Sequence, residues 1–250
     1  MIKLATTEKA FYVQISDQID KVGKSGKIIQ TRFLTLREQE IVKYLTRKSI
    51  NYKFYGGYNN AERKRCLLYP HEVNLATAFN ITCFEISYNK RYLQLRHQNV
   101  LGTLMSLKIQ RALFGDIIFY HDQCFIFVAT EIEGILKNEL NMINNVPITL
   151  EVYDKPLFIE PEYLNKNIII SSLRIDNLIS NVYNLSRDKT KNYILANNVY
   201  RNFILVESPS IKCVENDIIS VRKYGRFIVS KIIRKTKSDR LVVEVKIPST

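Results

Sequence analysis

Apolar residues recur along this chain in three rhythms, and the changes of rhythm divide it. Phe11, Ile15 and Ile19, with Gln18 alongside, keep a helical spacing that ends at a Gly/Lys/Ser stretch over 23–27. Thr35 followed by Glu38, with Ile41, Tyr44 and Leu45 beyond on one face, has the spacing of a capping box that opens a second helix. The paired Gly56 and Gly57 predict a tight turn or a close backbone approach, and the run from Asn60 to Arg65 predicts a short helix or loop.

From 79 to 153 the order becomes strand, helix, strand, strand, helix, strand. Ile81, Cys83, Phe84, Ile86 and Tyr88 mark the first strand, and Val100, Leu101, Leu104 and Leu107 the first helix. Ile117–Tyr120 and Phe125–Val128 suit a hairpin turning through His121, Asp122 and Gln123; Ile132, Ile135, Leu136 and Leu140 suit a helix, and Ile148–Val152 the last strand. This order predicts a ferredoxin-like split βαβ unit, as in RNA-recognition domains, although their aromatic Gly-rich strand motif is absent.

Residues 154–167, with Pro156 and Pro161 among mixed charges, read as a linker. Beyond it, Ile175, Leu178, Ile179 and Val182 recur at helical spacing, and Ser186 is placed to cap a second helix running through Ile194. Asn184 and Leu185 make the turn between them, and Asn197 stands where a left-handed residue is wanted. Strands are predicted near 199–202, 204–206, 218–223, 226–233 and 240–247. The expected fold class is α+β in three parts: a small helical or mixed N-terminal domain over 1–78, a ferredoxin-like middle domain over 79–160, and a compact helix–helix–sheet module over 168–247.

Charge alters this picture. The chain carries 37 Lys+Arg against 24 Asp+Glu, a formal +13, which favours polyanionic partners. Residues 1–78 hold 14 basic and 7 acidic side chains, 79–167 hold 8 and 10, and 168–250 hold 15 and 7. The excess therefore flanks a near-neutral middle, for which a scaffold role is expected. Arg63, Lys64 and Arg65 are a possible secondary RNA contact, against the commoner outcome of a solvated face. In the last third, Arg174, Arg187, Lys189, Lys191, Arg201, Arg222, Lys223 and Arg226 are expected on one exposed surface, suited to folded RNA, which is read largely through phosphates, 2′-hydroxyls and shape.

Little points to chemistry. Cys66, Cys83, Cys124 and Cys213 have no metal-ligand or redox spacing, His71, His97 and His121 are scattered, and no G-x-G-x-x-G or G-x-S-x-G occurs. No metal, cofactor or catalytic residue is expected, and Asp116 and Glu62 should then be dispensable. The first residues lack the apolar core of a signal peptide, and no apolar run approaches the about 18 residues of a membrane helix, so a soluble cytoplasmic monomer is expected.

Several motifs together resemble a known family. Arg174-Ile175-Asp176, Ser186-Arg187, Asn202, Pro209-Ser210, Asp217 through Arg222, and Gly225-Arg226-Phe227 resemble the S4 RNA-binding domain. Phe33-Leu34-Thr35 with Arg37–Glu40, Gly56-Gly57-Tyr58, Ala61–Arg65, Tyr69-Pro70, Val100–Leu104, Phe114–Ile117 and Ser171–Arg174 are similar to the bacterial YlmH proteins. The likeness runs from about residue 33 to 247. Asn197 and Asn216 stand where the S4 pattern usually has Gly, and a hydrophobic residue is commoner at Arg201. The resemblance implies a non-catalytic factor of the large ribosomal subunit, contacting rRNA and tRNA and linked to rescue of stalled subunits carrying peptidyl-tRNA. It places Ser186 and Asn202 with the eight cations at the interface. Two alternatives come with it: a cell-division interaction protein, and an accessory of an RNA-modifying enzyme such as a pseudouridine synthase or methyltransferase.

Overall fold

The computed structural model describes residues 4–47, 49–70, 79–91, 95–120, 123–160 and 162–248; His71 and the His121–Asp122 turn lie outside them. The chain is a mixed α+β protein that divides into two compact units, 1–159 and 160–250.

In the first unit, helix α1 (Lys9–Ser25) buries Phe11, Ile15, Ile19 and Val22 and stops at Gly26, whose φ of 68° suits the residue without a Cβ. Helix α2 (Leu36–Thr46) opens with the expected capping box: Glu38 N donates to Thr35 Oγ1 at 3.3 Å, and Thr35 N donates to Glu38 Oε2 at 2.7 Å. Both helices pack on a three-stranded sheet in which β3 (Arg65–Tyr69) lies between β1 (Ile29–Gln30) and β2 (Asn51–Tyr55). Arg65 therefore begins a strand, where a short helix or loop was one expectation.

The second sheet of this unit holds β4 (Ile81–Tyr88), β5 (Phe114–Tyr120), β6 (Gln123–Ala129), β7 (Met142–Ile143) and β8 (Val146–Val152) in the antiparallel order β5-β6-β4-β8-β7. With α3 (His97–Ser106) and α4 (Glu133–Glu139) between the strands, this is the split βαβ order. The helices bury one face of the sheet, including Phe84, Val100, Leu104 and Leu136. Its other face is covered by Tyr58, Ala61 and Leu157, packed on Phe125 and Phe127. Residues 1–159 form one compact unit.

In the second unit, β9 (Tyr163–Ile170) begins inside the stretch read as a linker. Its early residues are exposed, so only Ile168 and Ile170 carried an apolar alternation into the sequence. Helices α5 (Ile175–Tyr183) and α6 (Arg187–Leu195) follow, then β10 (Val199–Arg201), β11 (Ile204–Leu205), β12 (Ile218–Val221), β13 (Gly225–Lys235) and β14 (Leu241–Pro248). The sheet order is β11-β10-β12-β13-β14-β9, and both helices cover one face. Asn184, Asn197, Asn202 and Asn216 all take positive φ, between 49° and 69°. Asparagine tolerates this backbone better than other residues with a Cβ, which suits Asn197 and Asn216 to the positions where a glycine was expected.

Candidate nucleic-acid interface

Four of the ten C-terminal candidates serve the fold. Arg174 stands at the N-cap position of α5 without a side-chain cap, its guanidinium paired with Asp176 at 2.6 and 3.1 Å, while Asp176 Oδ1 also accepts from Asn177 N. Arg201 shares its face of β10 with the buried Val199, which explains why a hydrophobic residue is commoner there. Its Nε donates to Asp217 Oδ2 at 2.7 Å, and Asp217 is 2% exposed. The same carboxylate accepts from Asn202 Nδ2 and from Val214 N, both at 2.7 Å. Asn202 in turn accepts from Ile218 N through its side-chain oxygen. Arg201, Asn202 and Asp217 form one internal knot that closes the β10–β11 turn onto β12. The Ser186 hydroxyl accepts from Lys189 N at 3.2 Å, the helix cap expected of it.

The exposed candidates are Arg187, Lys189, Lys191, Arg222 and Lys223, with Arg226 half-buried. None of the first five has a carboxylate partner among the described residues, unlike Arg174 and Arg201. They do not all point one way. At about 100° per residue, Arg187 and Lys191 lie about 40° apart on α6, whereas Lys189 is about 200° from Arg187. Buried Thr190 and Ile194 separate the two flanks on the core side.

Tyr224 sets the position of the next pair. Its ring lies 5.3 Å from Tyr193 on α6 and 5.4 Å from Tyr183 on α5, and Lys189 Nζ is 5.8 Å from its centroid. Hydrogen bonding to the Tyr224 hydroxyl raises the Lys189 pKa. Arg222 N donates to Asn198 O at 2.9 Å just past α6. These contacts hold the Arg222–Lys223 turn against the Lys189 flank. Tyr224 had no sequence signal, because its role depends on strand register and helix position together.

The N-terminal basic run is different. Arg65 is 5% exposed and donates to Thr31 O at 2.9 Å and Asn80 O at 3.0 Å. Arg63 donates to Phe114 O at 3.0 Å and Phe33 O at 3.2 Å, and burial lowers the pKa of both guanidiniums. Lys64 makes a bridge with Leu34. Arg63 and Arg65 act as internal fasteners, their guanidiniums donating to backbone carbonyls. Asp116 is also structural, in contrast to the expectation that it is dispensable: it accepts from Tyr58 Oη at 2.9 Å, Glu62 N at 2.6 Å and Arg63 N at 3.1 Å. Burial raises its pKa against the pull of those donors.

That knot places Tyr58 on the middle sheet, its ring 5.0 Å from Phe127. Gly57, at φ 104°, lies so close to Phe127 that a Cβ would collide with the ring. The face on which RNA-recognition domains display their aromatics is therefore occupied here by the chain itself. Burial pushes the thiols of Cys66, Cys83, Cys124 and Cys213 up to about 12, and all four are unpaired. No helix among the described residues is long and apolar enough to cross a membrane.

Comparison with known proteins adds what geometry does not. Residues 75–155 match a family model described as "Putative RNA-binding domain in YlmH". Over 237 residues the chain is 30% identical to the ribosome-associated protein quality control protein P2 of Bacillus subtilis (strain 168), covering 93% of this chain and 92% of that protein. The solved structure of cell division protein ylmH from Streptococcus pneumoniae is 25% identical, with a TM-score of 0.52, over 62% of this chain and 95% of that one. Identity at this level across nearly the whole of both the Bacillus chain and this one shows that the protein belongs to the YlmH family.

Proposed function

We propose that this protein is a non-catalytic RNA-binding factor of the large ribosomal subunit, acting as a cytoplasmic monomer without cofactors. Its C-terminal unit, read as an S4-type module, holds rRNA and tRNA on stalled subunits that carry peptidyl-tRNA. The observation that carries this reading is α6, whose capped N-terminus projects between two flanks of cations, Arg187 with Lys191 and Lys189 with the Arg222–Lys223 turn. Two basic flanks suit the two phosphate strands that border the wide, shallow minor groove of A-form RNA. Arg174, Arg201 and Asn202 fasten the surrounding fold through Asp176 and Asp217, and Ser186 caps α6. The near-full-length relative named for ribosome-associated quality control supports the choice of RNA.

The test is co-sedimentation of the full chain with large subunits that are vacant or loaded with peptidyl-tRNA. Loaded subunits are expected to retain the protein better, and Arg187→Glu with Lys191→Glu should abolish retention while leaving the melting temperature unchanged. Equal retention on both subunit states, or a folded double variant that still binds, defeats the reading. The pneumococcal relative, named for cell division, favours a second reading as a cell-division interaction protein. Co-purifying partners that survive ribonuclease treatment would support it.

A further inference from the structure

The six-stranded sheet of the C-terminal unit has helices on only one face, and the opposite face carries an ordered set of side chains. Tyr200 pairs with Ser220, and Ser220 with Arg226, so the three form one cross-strand row. The Ile228–Lys246 register, extended two residues along each strand, sets Pro248 beside Arg226, and Pro248 pairs with Tyr163. Tyr200 and Tyr163 thus lie in the same row, four strand spacings or about 19 Å apart, with Leu205 of β11 beyond Tyr200. Both are open to solvent, at 39% and 37% exposure.

The rows below are basic and amide-rich. Lys246 pairs with Asn165, and Glu244 lies between Lys231 and Asn167. Arg234 pairs with Val242, two residues from Glu244, and so shares the face of Lys231. In an unbroken strand, residues three apart point to opposite faces. The register shift between Ile232 and Arg234 inserts one residue and brings Arg234 round. Glu244 is the one acid in these rows, and it is 3.9 Å from Lys231 and accepts from Ser230 at 3.0 Å. At the Tyr200 end, Tyr200, Ser220, Val221, Arg222, Gly225 and Arg226 line a shallow open recess.

We propose that this bare sheet face is a second RNA site, one that takes single-stranded RNA. Bases stack on Tyr200 and Tyr163, phosphates lie over Lys231, Arg234 and Lys246, and Asn165 and Asn167 offer amides to base edges. Aromatic rings spread on an open sheet among cations are how single strands are held, since every base has a face to stack. A duplex hides its base faces and would leave both rings unused. An acidic protein would match the cations but has no need of the rings. This site stands independently of the α6 ridge.

The test uses the full chain and fluorescent oligouridylate, read by anisotropy, beside an RNA hairpin. Tyr200→Ala with Tyr163→Ala, and separately Lys231→Glu with Arg234→Glu, should each weaken oligouridylate binding about tenfold or more while leaving hairpin binding in place. The charge-reversal variant is expected to stay folded with a slightly lowered melting temperature, because Lys231 and Arg234 are exposed but Lys231→Glu faces Glu244 across the strands. Arg187→Glu with Lys191→Glu should show the reverse pattern, so failure of one site is distinguishable from failure of the other. Oligouridylate binding that is unaffected in both sheet-face variants, or lost only in the α6 variant, overturns the proposal. So does displacement of nothing but a polyglutamate peptide from this face, which would assign it to an acidic protein.

Discussion

The first and last thirds of the chain carry similar excesses of positive charge, and the structure uses them in opposite ways. Around Arg63 and Arg65 the guanidiniums are sunk among the carbonyls of Thr31, Phe33, Asn80 and Phe114, where they join strands to loops. Around α6 the cations stand in solvent without carboxylate partners among the described residues. Arginine suits the first task because its planar fork satisfies several carbonyls at once and stays charged when buried. Net charge by region counts both kinds alike. What separates them is whether a cation's donors are already satisfied inside the protein.

The sharpest break would be Arg65→Ala. Removing a buried guanidinium orphans two carbonyls, and a loss of about 3 kcal/mol is expected in chemical denaturation, with RNA affinity of the folded fraction unchanged. A stable variant that lost RNA binding would reverse the assignment.

Next is Arg201→Ala, which removes an internal fastener from within the C-terminal unit. It strands the Asp217 carboxylate with only Asn202 and Val214 as donors, at a cost of about 2 kcal/mol. If the loss appears in binding with no change in stability, Arg201 belongs to the interface.

The ion pair of Glu8 with Arg37, at 2.9 and 3.0 Å, joins the start of α1 to α2 and gives a pH test of the internal kind. Burial raises the Glu8 pKa, but the Arg37 hydrogen bonds, the Ala5 amide and the Arg37 charge together outweigh it, and the net direction is downward. A depressed carboxylate stabilises the fold above its ordinary range and loses that effect as pH falls through the lowered value. Glu8→Gln should therefore melt below the native protein at neutral pH, the gap closing on acidification. A gap independent of pH would contradict the pair.

Arg222→Ala with Lys223→Ala should disturb the fold least, by within about 0.5 kcal/mol. The slope of log affinity against log salt should fall by roughly 1.4 to 1.8 if both contact phosphate. An unchanged slope would remove the turn from the interface.

A good deal of this was legible beforehand. The capping box at Thr35, the cap at Ser186, the split βαβ order and the left-handed Asn197 are local patterns, and each appears where spacing put it. Strand β9 was missed because a half-exposed edge strand with prolines nearby has a linker's composition. The Tyr163–Tyr200 row was also out of reach, since it joins residues far apart in sequence through five strands.

By itself, then, the order of side chains determined the helices, most strands, their caps and the regions of excess charge, because these depend on neighbours a few positions away. Which arginines became fasteners, that the middle sheet was covered by Tyr58 and Leu157, and that the last sheet kept one face bare were decided only by tertiary structure. The reason is that burial and hydrogen-bond satisfaction depend on what packs alongside, and those partners come from distant parts of the chain.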